Sequence, residues 1–268
     1  MKLSEVKTRP SICVLGEPGS GKTSLIGSFC ELLPTVVVTS DLQGIDTLKT
    51  MRVDAEIIYI DDWTRCWFAY QDIQKALAKG YRVIALDDFG ASQDQIKNKA
   101  QMMPRGDEAR LSIEKRSLQI RESLMKGDRR LLGPQWGEVA VAAEAFLTEV
   151  AALPAQIFIA TIIEDLRESP RTGLEHIYPS LQGRIRFSIL ARFSLVVEAF
   201  KAQDQAKVSR YCLTCREHVK LPTKTRYGQG RTWVDPTASK LLAHINRKEE
   251  GDYAETKLEQ FIGTGIPA

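Results

Sequence analysis

Eight consecutive residues, Gly-Glu-Pro-Gly-Ser-Gly-Lys-Thr at positions 16–23, constrain the fold of this chain more than any other part of its sequence. They match the pattern GxxxxGK[ST] in full. An apolar run at residues 11–15 precedes them, and residues 23–33 follow with the apolar spacing of a helix. The segment therefore predicts a buried strand, a glycine-rich turn and a helix in direct succession.

The predicted turn has the chemistry of a phosphate-binding loop. Its glycines let backbone N–H groups point inward around phosphate oxygens, and the helix directs its positive amino end at the same place. Lys22 is expected to reach the β- and γ-phosphates, and the Thr23 hydroxyl to ligate Mg²⁺. We therefore expect ATP and Mg²⁺ as ligands, with nucleotide contacts from Gly16, Glu17, Pro18, Gly19, Ser20, Gly21, Lys22, Thr23 and Ser24.

Apolar runs alternate with helical patterns along the rest of the chain. This alternation predicts an α/β fold with a RecA-like core, in which a mostly parallel sheet is flanked by helices and followed by antiparallel strands. The predicted strands cover residues 35–39, 56–60, 82–87, 156–162, 195–200 and 207–213, and further helices cover 63–79 and 135–153. We expect an N-terminal extension at 1–10, one domain at 11–242 with a charged insertion at 92–134, and a tail at 243–268.

Polar residues at the carboxyl ends of the predicted strands are candidates for catalysis. Asp87 is expected to hold Mg²⁺, and Asp88 to orient water or act as a general base. Asp41 and Gln43 could position the attacking water, although ordinary turn chemistry also explains them. Thr161 could sense the γ-phosphate, and the alternative is a hydroxyl bonded to the backbone.

Composition and cysteine content indicate a cytoplasmic globular protein. The hydrophobic fraction of 43% is ordinary for a soluble domain, and a net charge of +3 is too small to indicate nucleic-acid binding without a local cluster. Five cysteines without an export signal predict reduced thiols in the cytoplasm, which is the host cytoplasm if the chain is phage-encoded. No run is long enough for a membrane span.

One group of cysteines invites a metal interpretation. Cys212 and Cys215 are spaced as in zinc sites, and His218 follows closely. A structural zinc site needs four ligands, and no second cysteine pair exists. Free thiols within strands are therefore the favoured interpretation.

Basic residues are concentrated late in the chain. Residues 205–232 contain seven Lys or Arg against a single acidic residue, and residues 164–192 add five arginines against four acids. A solvated face explains such stretches equally well, but a groove for single-stranded nucleic acid needs the same charge. Tyr178, Phe187 or Tyr227 could stack on bases, or belong to the core.

The order of these parts resembles the RecA-type ATPase core over residues 10–230. It is most similar to compact phage-encoded nucleotide-binding proteins, some of which act in single-strand annealing and recombination. The resemblance follows the phosphate loop and the segments at 36–46, 56–77 and 83–88, then Gln-Trp-Gly at 135–137, residues 156–162 and Pro-Ser-Leu-Gln-Gly at 179–183.

The resemblance implies several roles by position. Residues 92–134 and 164–183 would be DNA-contacting loops, and Lys224 or Arg226 would act on a neighbouring subunit's phosphates. It further implies a homo-oligomer acting on single-stranded DNA, with a single-strand-binding or replication protein as a further partner. Leu42 occupies the place where RecA-type proteins carry a catalytic Glu, so turnover is expected to be weak.

Four functions remain open at this point. The first is a DNA-dependent ATPase that promotes annealing or strand exchange. The second is an AAA-type switch or loader that remodels a protein partner, which predicts a predominantly helical segment at 202–242. The others are a small-molecule kinase, with residues 92–134 as its lid, and a nucleotide-bound scaffold that scarcely turns over.

Overall fold

The computed structural model describes residues 9–61, 63–93, 133–168, 175–181, 185–216, 220 and 222–246. In chain order, the elements are β1 (Ser11–Gly16), α1 (Lys22–Leu32), β2 (Thr35–Thr39), α2 (Leu42–Thr50), β3 (Glu56–Tyr59), α3 (Trp63–Ala78), β4 (Val83–Asp87), α4 (Gly133–Ala152), β5 (Ile157–Glu168), β6 (Glu175–Pro179), α5 (Ile185–Ser188), a 3₁₀ turn (Ile189–Arg192), β7 (Leu195–Gln203), β8 (Ser209–Thr214), β9 (Lys224–Thr225), β10 (Thr232–Val234) and α6 (Ala238–Ile245).

The main sheet has the strand order β10-β8-β7-β1-β5-β4-β2-β3. The six strands from β7 to β3 run parallel, whereas β8 is antiparallel to β7 and β10 is antiparallel to β8. β9 adds an antiparallel pair at the start of β7. The predicted fold class, a mostly parallel α/β sheet with later antiparallel strands, is confirmed.

Helices cover both faces of the sheet, which explains why its central strands read as continuous apolar runs. Alternate residues of each strand belong to different cores. On one face, Cys13 and Val36 pack with side chains of α3 and α4 such as Ile73 and Leu147. The opposite core contains residues of β1 and β2 together with α1, α2 and α6, including Val14, Val37, Phe29, Leu48 and Leu241.

The sheet register brings the ends of four parallel strands to one edge. Gly16 of β1 pairs with Ile163 of β5, and Thr39 of β2 pairs with Asp87 of β4. Leu86 pairs with Ala160. The residues that follow, Asp87 and Thr161, are therefore neighbours at the carboxyl edge, where ligands of open α/β sheets bind.

Strand β5 extends beyond this edge and forms a ribbon with β6. Residues 164–168 pair with 175–179 in antiparallel register, from Glu164 opposite Pro179 to Glu168 opposite Glu175. The sequence predicted a DNA-contacting loop at 164–183, and this part of it is instead a regular two-stranded ribbon. The charged residues of this segment obscure the alternation of a strand, and the ladder pairs the inward-facing backbone groups of both strands.

Several boundaries differ from those expected. Helix α2 was not predicted, and α6 continues past residue 242, where we placed the end of the domain. Pro10, assigned to the extension, already accepts a hydrogen bond from the Phe158 N–H at 3.0 Å. The insertion at 92–134 lies outside the described residues except for two residues at each end. Among the helices that are described, none combines the length and apolar character of a membrane span.

Candidate nucleotide-binding site

The loop between β1 and α1 has the backbone geometry of a phosphate cradle. Gly19 and Gly21 have φ angles of 76° and 94°, in the left-handed region that favours glycine. No side chain caps the amino end of α1. Its first N–H groups therefore remain directed at the loop, where an anion binds best.

The side chains of the loop also fit a polyphosphate. Within the described residues, the Ser20 Oγ is buried and has no hydrogen-bond partner. Buried hydroxyls are normally satisfied, so this atom is suited to a ligand oxygen. The loop thus combines free backbone donors, a free hydroxyl and the neighbouring ammonium group of Lys22.

Lys22 points back into the loop. Its Nζ donates to the carbonyl oxygens of Gly16 at 2.6 Å and Glu17 at 2.7 Å, and the residue is only 8% exposed. Burial lowers the pKa of Lys22, whereas the nearby carboxylates, led by Asp88, raise it. The ammonium group is therefore held among negative groups, at the place where phosphate charge must be neutralised.

Asp87 lies at the end of β4 with both carboxylate oxygens bonded. Thr23 donates from Oγ1 to Oδ2 at 2.9 Å, and Thr161 donates from Oγ1 to Oδ1 at 2.9 Å. Asp87 is 4% exposed. Burial raises its pKa, and the bonds from Thr161 and Thr23 lower it. The two threonines therefore stabilise the ionised form and fix its orientation.

This arrangement fits Mg²⁺. The Thr23 hydroxyl and the Asp87 carboxylate are hard oxygen donors, the ligand type that Mg²⁺ takes in nucleotide sites. They meet beside the phosphate loop, so Thr23 and Asp87 are the residues that would hold the ion. Thr161 bonds to Asp87 itself, which makes it the residue that positions this carboxylate.

Asp88 follows directly after β4 and is partly buried. Its Oδ1 accepts a hydrogen bond from the Gly90 N–H at 2.9 Å. Burial raises the pKa of Asp88 to about 6, the bond from Gly90 lowers it, the neighbouring Asp87 charge raises it and Lys22 lowers it. Asp88 is thus a carboxylate beside Lys22 that accepts hydrogen bonds from the backbone of Gly90 and Ala91.

Asp41 and Gln43 have different surroundings. Asp41 caps α2, because Oδ1 accepts from the Gln43 N–H at 2.9 Å and Oδ2 from the Gly44 N–H at 3.1 Å. Both oxygens are therefore used by the helix, as the turn interpretation proposed. The Gln43 side chain is exposed, and Leu42 beside it is 60% exposed.

Helix α2 nevertheless borders the metal-binding carboxylate. A Cβ atom placed on Gly44 would lie 2.9 Å from Asp87 Oδ2. Only a residue without a side chain fits this approach, which explains glycine at position 44.

Two glutamates were missed as site residues in the sequence. Glu164, where β5 passes from the sheet into the ribbon, faces Lys22 and Glu17, and burial raises its pKa to about 6. Its Oε2 is buried without a partner among the described residues. Glu198 on β7 has its pKa raised to about 7 by burial and by the charges of Glu164 and Glu17. The only signal for Glu164 was its position three residues after Thr161.

Lys224 and Arg226, the candidates for action on a neighbouring subunit, lie at the opposite edge of the sheet. Lys224 pairs with Val196 at the start of β7, and the Arg226 N–H bonds to the Ser194 carbonyl. This amino edge is remote from the chain's own phosphate loop. The two residues therefore do not belong to the chain's own phosphate site, and their action on a neighbouring subunit stays a prediction.

The remaining candidates are dispersed. The Tyr227 hydroxyl donates to Ser194 Oγ at 2.7 Å, at the amino edge. Tyr178 lies on the ribbon beside His176. Cys212 and Cys215 are buried and lie outside any disulfide, and no group of metal-ligating residues occurs in the part of the chain that the structure describes. His218 and the Phe187 side chain lie outside that part.

The fold and this site define a P-loop ATPase domain. The chain belongs to the AAA domain family AAA_24, whose model matches residues 8–227. Comparison with curated proteins gives no significant match.

Two solved structures show similarity to the chain. The RadB recombinase has 9% sequence identity and a TM-score of 0.44, with 84% of this chain and 86% of that chain covered. The ATPase DotB of Legionella pneumophila has 15% identity and a TM-score of 0.32, and the similarity spans 78% of this chain and 46% of that chain.

Proposed function

We propose that this P-loop ATPase hydrolyses ATP with Mg²⁺ and acts on single-stranded DNA as a cytoplasmic homo-oligomer, in recombination or annealing of the phage type. The observation that carries the ATPase proposal is the hydrogen-bonded series Thr23–Asp87–Thr161 beside the phosphate loop. Three elements that are distant in sequence supply these two hydroxyls and the carboxylate. A strand end without a ligand-binding role would not need this hydrogen-bonded arrangement.

The proposed reaction assigns a role to each side chain. The loop N–H groups, Ser20 and Lys22 bind the phosphate oxygens. Mg²⁺ held by Thr23 and Asp87 supplies charge neutralisation at the phosphates. Asp88 orients the attacking water and accepts its proton as the new oxygen–phosphorus bond forms and ADP leaves. Catalysis is then positioning and electrostatic stabilisation, as expected for phosphoryl transfer.

The DNA proposal rests on the path of β5. This strand carries Thr161 and continues without a break into the ribbon, which bears Arg167, His176 and Tyr178. Arg186 is close enough to Arg167 for their charges to interact, and part of this charge is offset because Arg167 also forms an ion pair with Asp165. A ribbon with arginine and aromatic side chains suits a single strand, whose backbone is anionic and whose bases stack.

A pair of variants tests the ATPase assignment. Asp88→Asn is expected to lower kcat by about 100-fold or more while nucleotide affinity stays within a few-fold, because a general base is removed and the loop is kept. Lys22→Ala is expected to abolish ATP binding. Calorimetry and phosphate release measure the two effects. Unchanged turnover in Asp88→Asn would exclude Asp88 as the base.

A second pair tests the DNA assignment. We expect single-stranded DNA to stimulate phosphate release and to bind in a salt-sensitive manner. Arg167→Glu on the ribbon should weaken this binding, whereas Arg82→Glu at the amino edge of the sheet should not. Absence of both stimulation and salt-sensitive binding in the unaltered protein would reject a role on DNA.

One observation favours a second candidate, an AAA-type ATPase that remodels a protein partner. The family to which the chain belongs is described as an AAA domain. Against it, the described residues between 202 and 237 are strands and loops, with β8, β9 and β10 preceding α6, rather than the predominantly helical segment this candidate predicts. ATPase activity that responds to a protein partner and ignores DNA would favour remodelling.

A further inference from the structure

The hairpin of β7 and β8 extends beyond the phosphate loop on one side. Gly16, the last residue of β1, pairs with Ala199 of β7, and the hairpin continues past this point. Lys201 and Tyr211 pair with each other two residues further along. Because side chains alternate along a strand, both lie on the face of Ala199, which packs in the same core as α1.

Tyr211 contacts the phosphate loop directly. A Cβ atom placed on Gly21 would lie 2.7 Å from Cδ1 of the Tyr211 ring. The ring is therefore packed against the Gly21 backbone, immediately before Lys22 at the start of α1. Tyr211 is nevertheless 41% exposed, so much of this aromatic side chain faces solvent beside the loop.

The side chain of Lys201 lies beside the Tyr211 ring. Its Nζ lies 5.3 Å from the Tyr211 ring centroid, within the range of a cation–π interaction. The same Nζ would be 3.9 Å from a Cβ atom on Gly19. Lys201 thus fixes the ring and places a second positive charge at the mouth of the loop, opposite the side occupied by Asp87 and Asp88.

We propose that Tyr211 is the stacking platform for the nucleobase of the bound nucleotide, with Lys201 beside the phosphate tail. This inference rests on the proposed nucleotide binding at residues 16–23. A nucleotide whose phosphates lie in the loop extends its sugar and base away from the loop, and Tyr211 is an exposed aromatic ring in contact with that loop. Stacking on such a ring accepts any base, because every base has a π face.

The platform predicts how the site selects nucleotides. A tyrosine ring does not read the hydrogen-bonding edge of a base, so adenine and guanine nucleotides should bind with similar affinity. Pyrimidine nucleotides have a smaller stacking area and should bind more weakly. Selectivity by ring size rather than by base identity is the distinguishing property of this arrangement.

The test compares Mg-ATP with inorganic tripolyphosphate, which has the phosphates but no base. Calorimetry on the full chain is expected to show about tenfold weaker ATP binding for Tyr211→Ala, in the range for loss of one base–aromatic stack. Tripolyphosphate affinity should stay within twofold. Tyr211→Phe keeps the ring and should match the unaltered protein. Tyr59→Ala, a comparably exposed tyrosine on the distant edge strand β3, is the control.

Each other outcome overturns a defined statement. Equal weakening of ATP and tripolyphosphate would show that Tyr211 only supports the loop, and unchanged ATP affinity would show that it contributes nothing. If the unaltered, folded protein binds tripolyphosphate but ATP no more tightly, the platform is excluded and the phosphate site stands. If it binds neither ligand, the proposed nucleotide binding itself fails. Thermal unfolding of every variant excludes loss of structure as the cause.

Discussion

Thr161 contributes to the site through its 2.9 Å hydrogen bond to Asp87, which is much shorter than its 3.5 Å contact with the Leu86 carbonyl. Its hydroxyl satisfies one oxygen of the buried Asp87 carboxylate, and Thr23 satisfies the other. A carboxylate in this position costs free energy unless both oxygens are bonded. The threonine at the end of β5 is therefore a positioning residue, in addition to any contact that it makes with phosphate.

Replacing this hydroxyl with a methyl group gives a defined expectation. Thr161→Val should destabilise the protein by about 1–3 kcal/mol at neutral pH, since it leaves a buried acceptor unsatisfied. It should also weaken Mg²⁺-dependent ATP binding more than binding without the ion, because the metal-binding carboxylate loses its orientation. Urea unfolding and calorimetry with and without Mg²⁺ measure both effects.

The control is Thr148→Val, which removes an exposed hydroxyl bonded to the Glu144 carbonyl within α4. Its stability should change by less than about 0.5 kcal/mol. If Thr161→Val alters neither stability nor the Mg²⁺ dependence, Asp87 does not depend on this bond.

Helix α6 belongs to the core, although the sequence suggested that the domain ends at residue 242. Thr237 caps the helix, and the Ala238 N–H donates to Ser28 Oγ of α1 at 2.8 Å. Leu241 and Ile245 are buried on the side facing α1. The end of the helix therefore stabilises the element that carries the phosphate loop.

Truncation of a buried residue past position 242 tests this assignment. Ile245→Ala should cost about 2–4 kcal/mol, the usual range for an isoleucine cavity in a core. Ser239→Ala on the exposed side of the same helix should cost less than about 0.5 kcal/mol. Equal, small effects in chemical denaturation would place the domain boundary before residue 245.

The elements that sequence predicted well are those whose pattern is local. The runs at 35–39 and 83–87 are apolar because both faces of the sheet are covered, and the glycine pattern at 16–23 needs no tertiary context. The β5–β6 ribbon was not predicted, because Glu-Asp-Leu-Arg-Glu has the composition of a loop and its partner strand cannot be identified from the sequence. Glu198 and Tyr211 were not predicted as site residues for a related reason. Strand pairing, rather than sequence proximity, brings β7 and β8 beside the phosphate loop.

At the scale of the whole molecule, Glu198 makes stability depend on pH. Its pKa rises from the ordinary value of 4.5 to about 7 because it is buried and faces Glu164 and Glu17. A raised carboxyl pKa means that the folded state binds more protons than the unfolded state. The resulting destabilisation is absent below about pH 4.5, grows as pH rises, and is complete above about pH 7.

Glu198→Gln removes this contribution. The variant should be about 1–2 kcal/mol more stable than the unaltered protein at pH 8, after allowance for partial solvent exposure. The difference should decrease steadily toward pH 5. Urea unfolding across this range measures it, with exposed Glu149→Gln as the control. A difference that does not vary with pH would mean that Glu198 ionisation is not its cause.

In the proposed homo-oligomer, the opposite positions of the phosphate loop and of Lys224 and Arg226 predict complementation between subunits. Lys22→Ala and Arg226→Ala should each lose ATPase activity, the first by losing its own site and the second by losing its action on a neighbour. A mixture should recover a measurable fraction, since some interfaces then combine an intact loop with an intact Arg226. No recovery, together with full activity of Arg226→Ala alone, would exclude this residue from a shared site.

The length of β5 has a mechanical consequence. The strand pairs with β4 up to Ala160 and with β1 up to Ile163. From Glu164 onward only β6 pairs with it, and the Ser180 N–H donates to the Ile163 carbonyl at 2.7 Å where the ribbon begins. A strand that is paired on both sides resists sliding. A displacement of the phosphate loop beside Glu164 would therefore tilt the part of β5 that pairs only with β6. Five residues project about 16 Å, and a tilt of roughly 10° would carry the tip about 3 Å. A small displacement at the nucleotide would thereby produce a larger displacement at the tip of the ribbon.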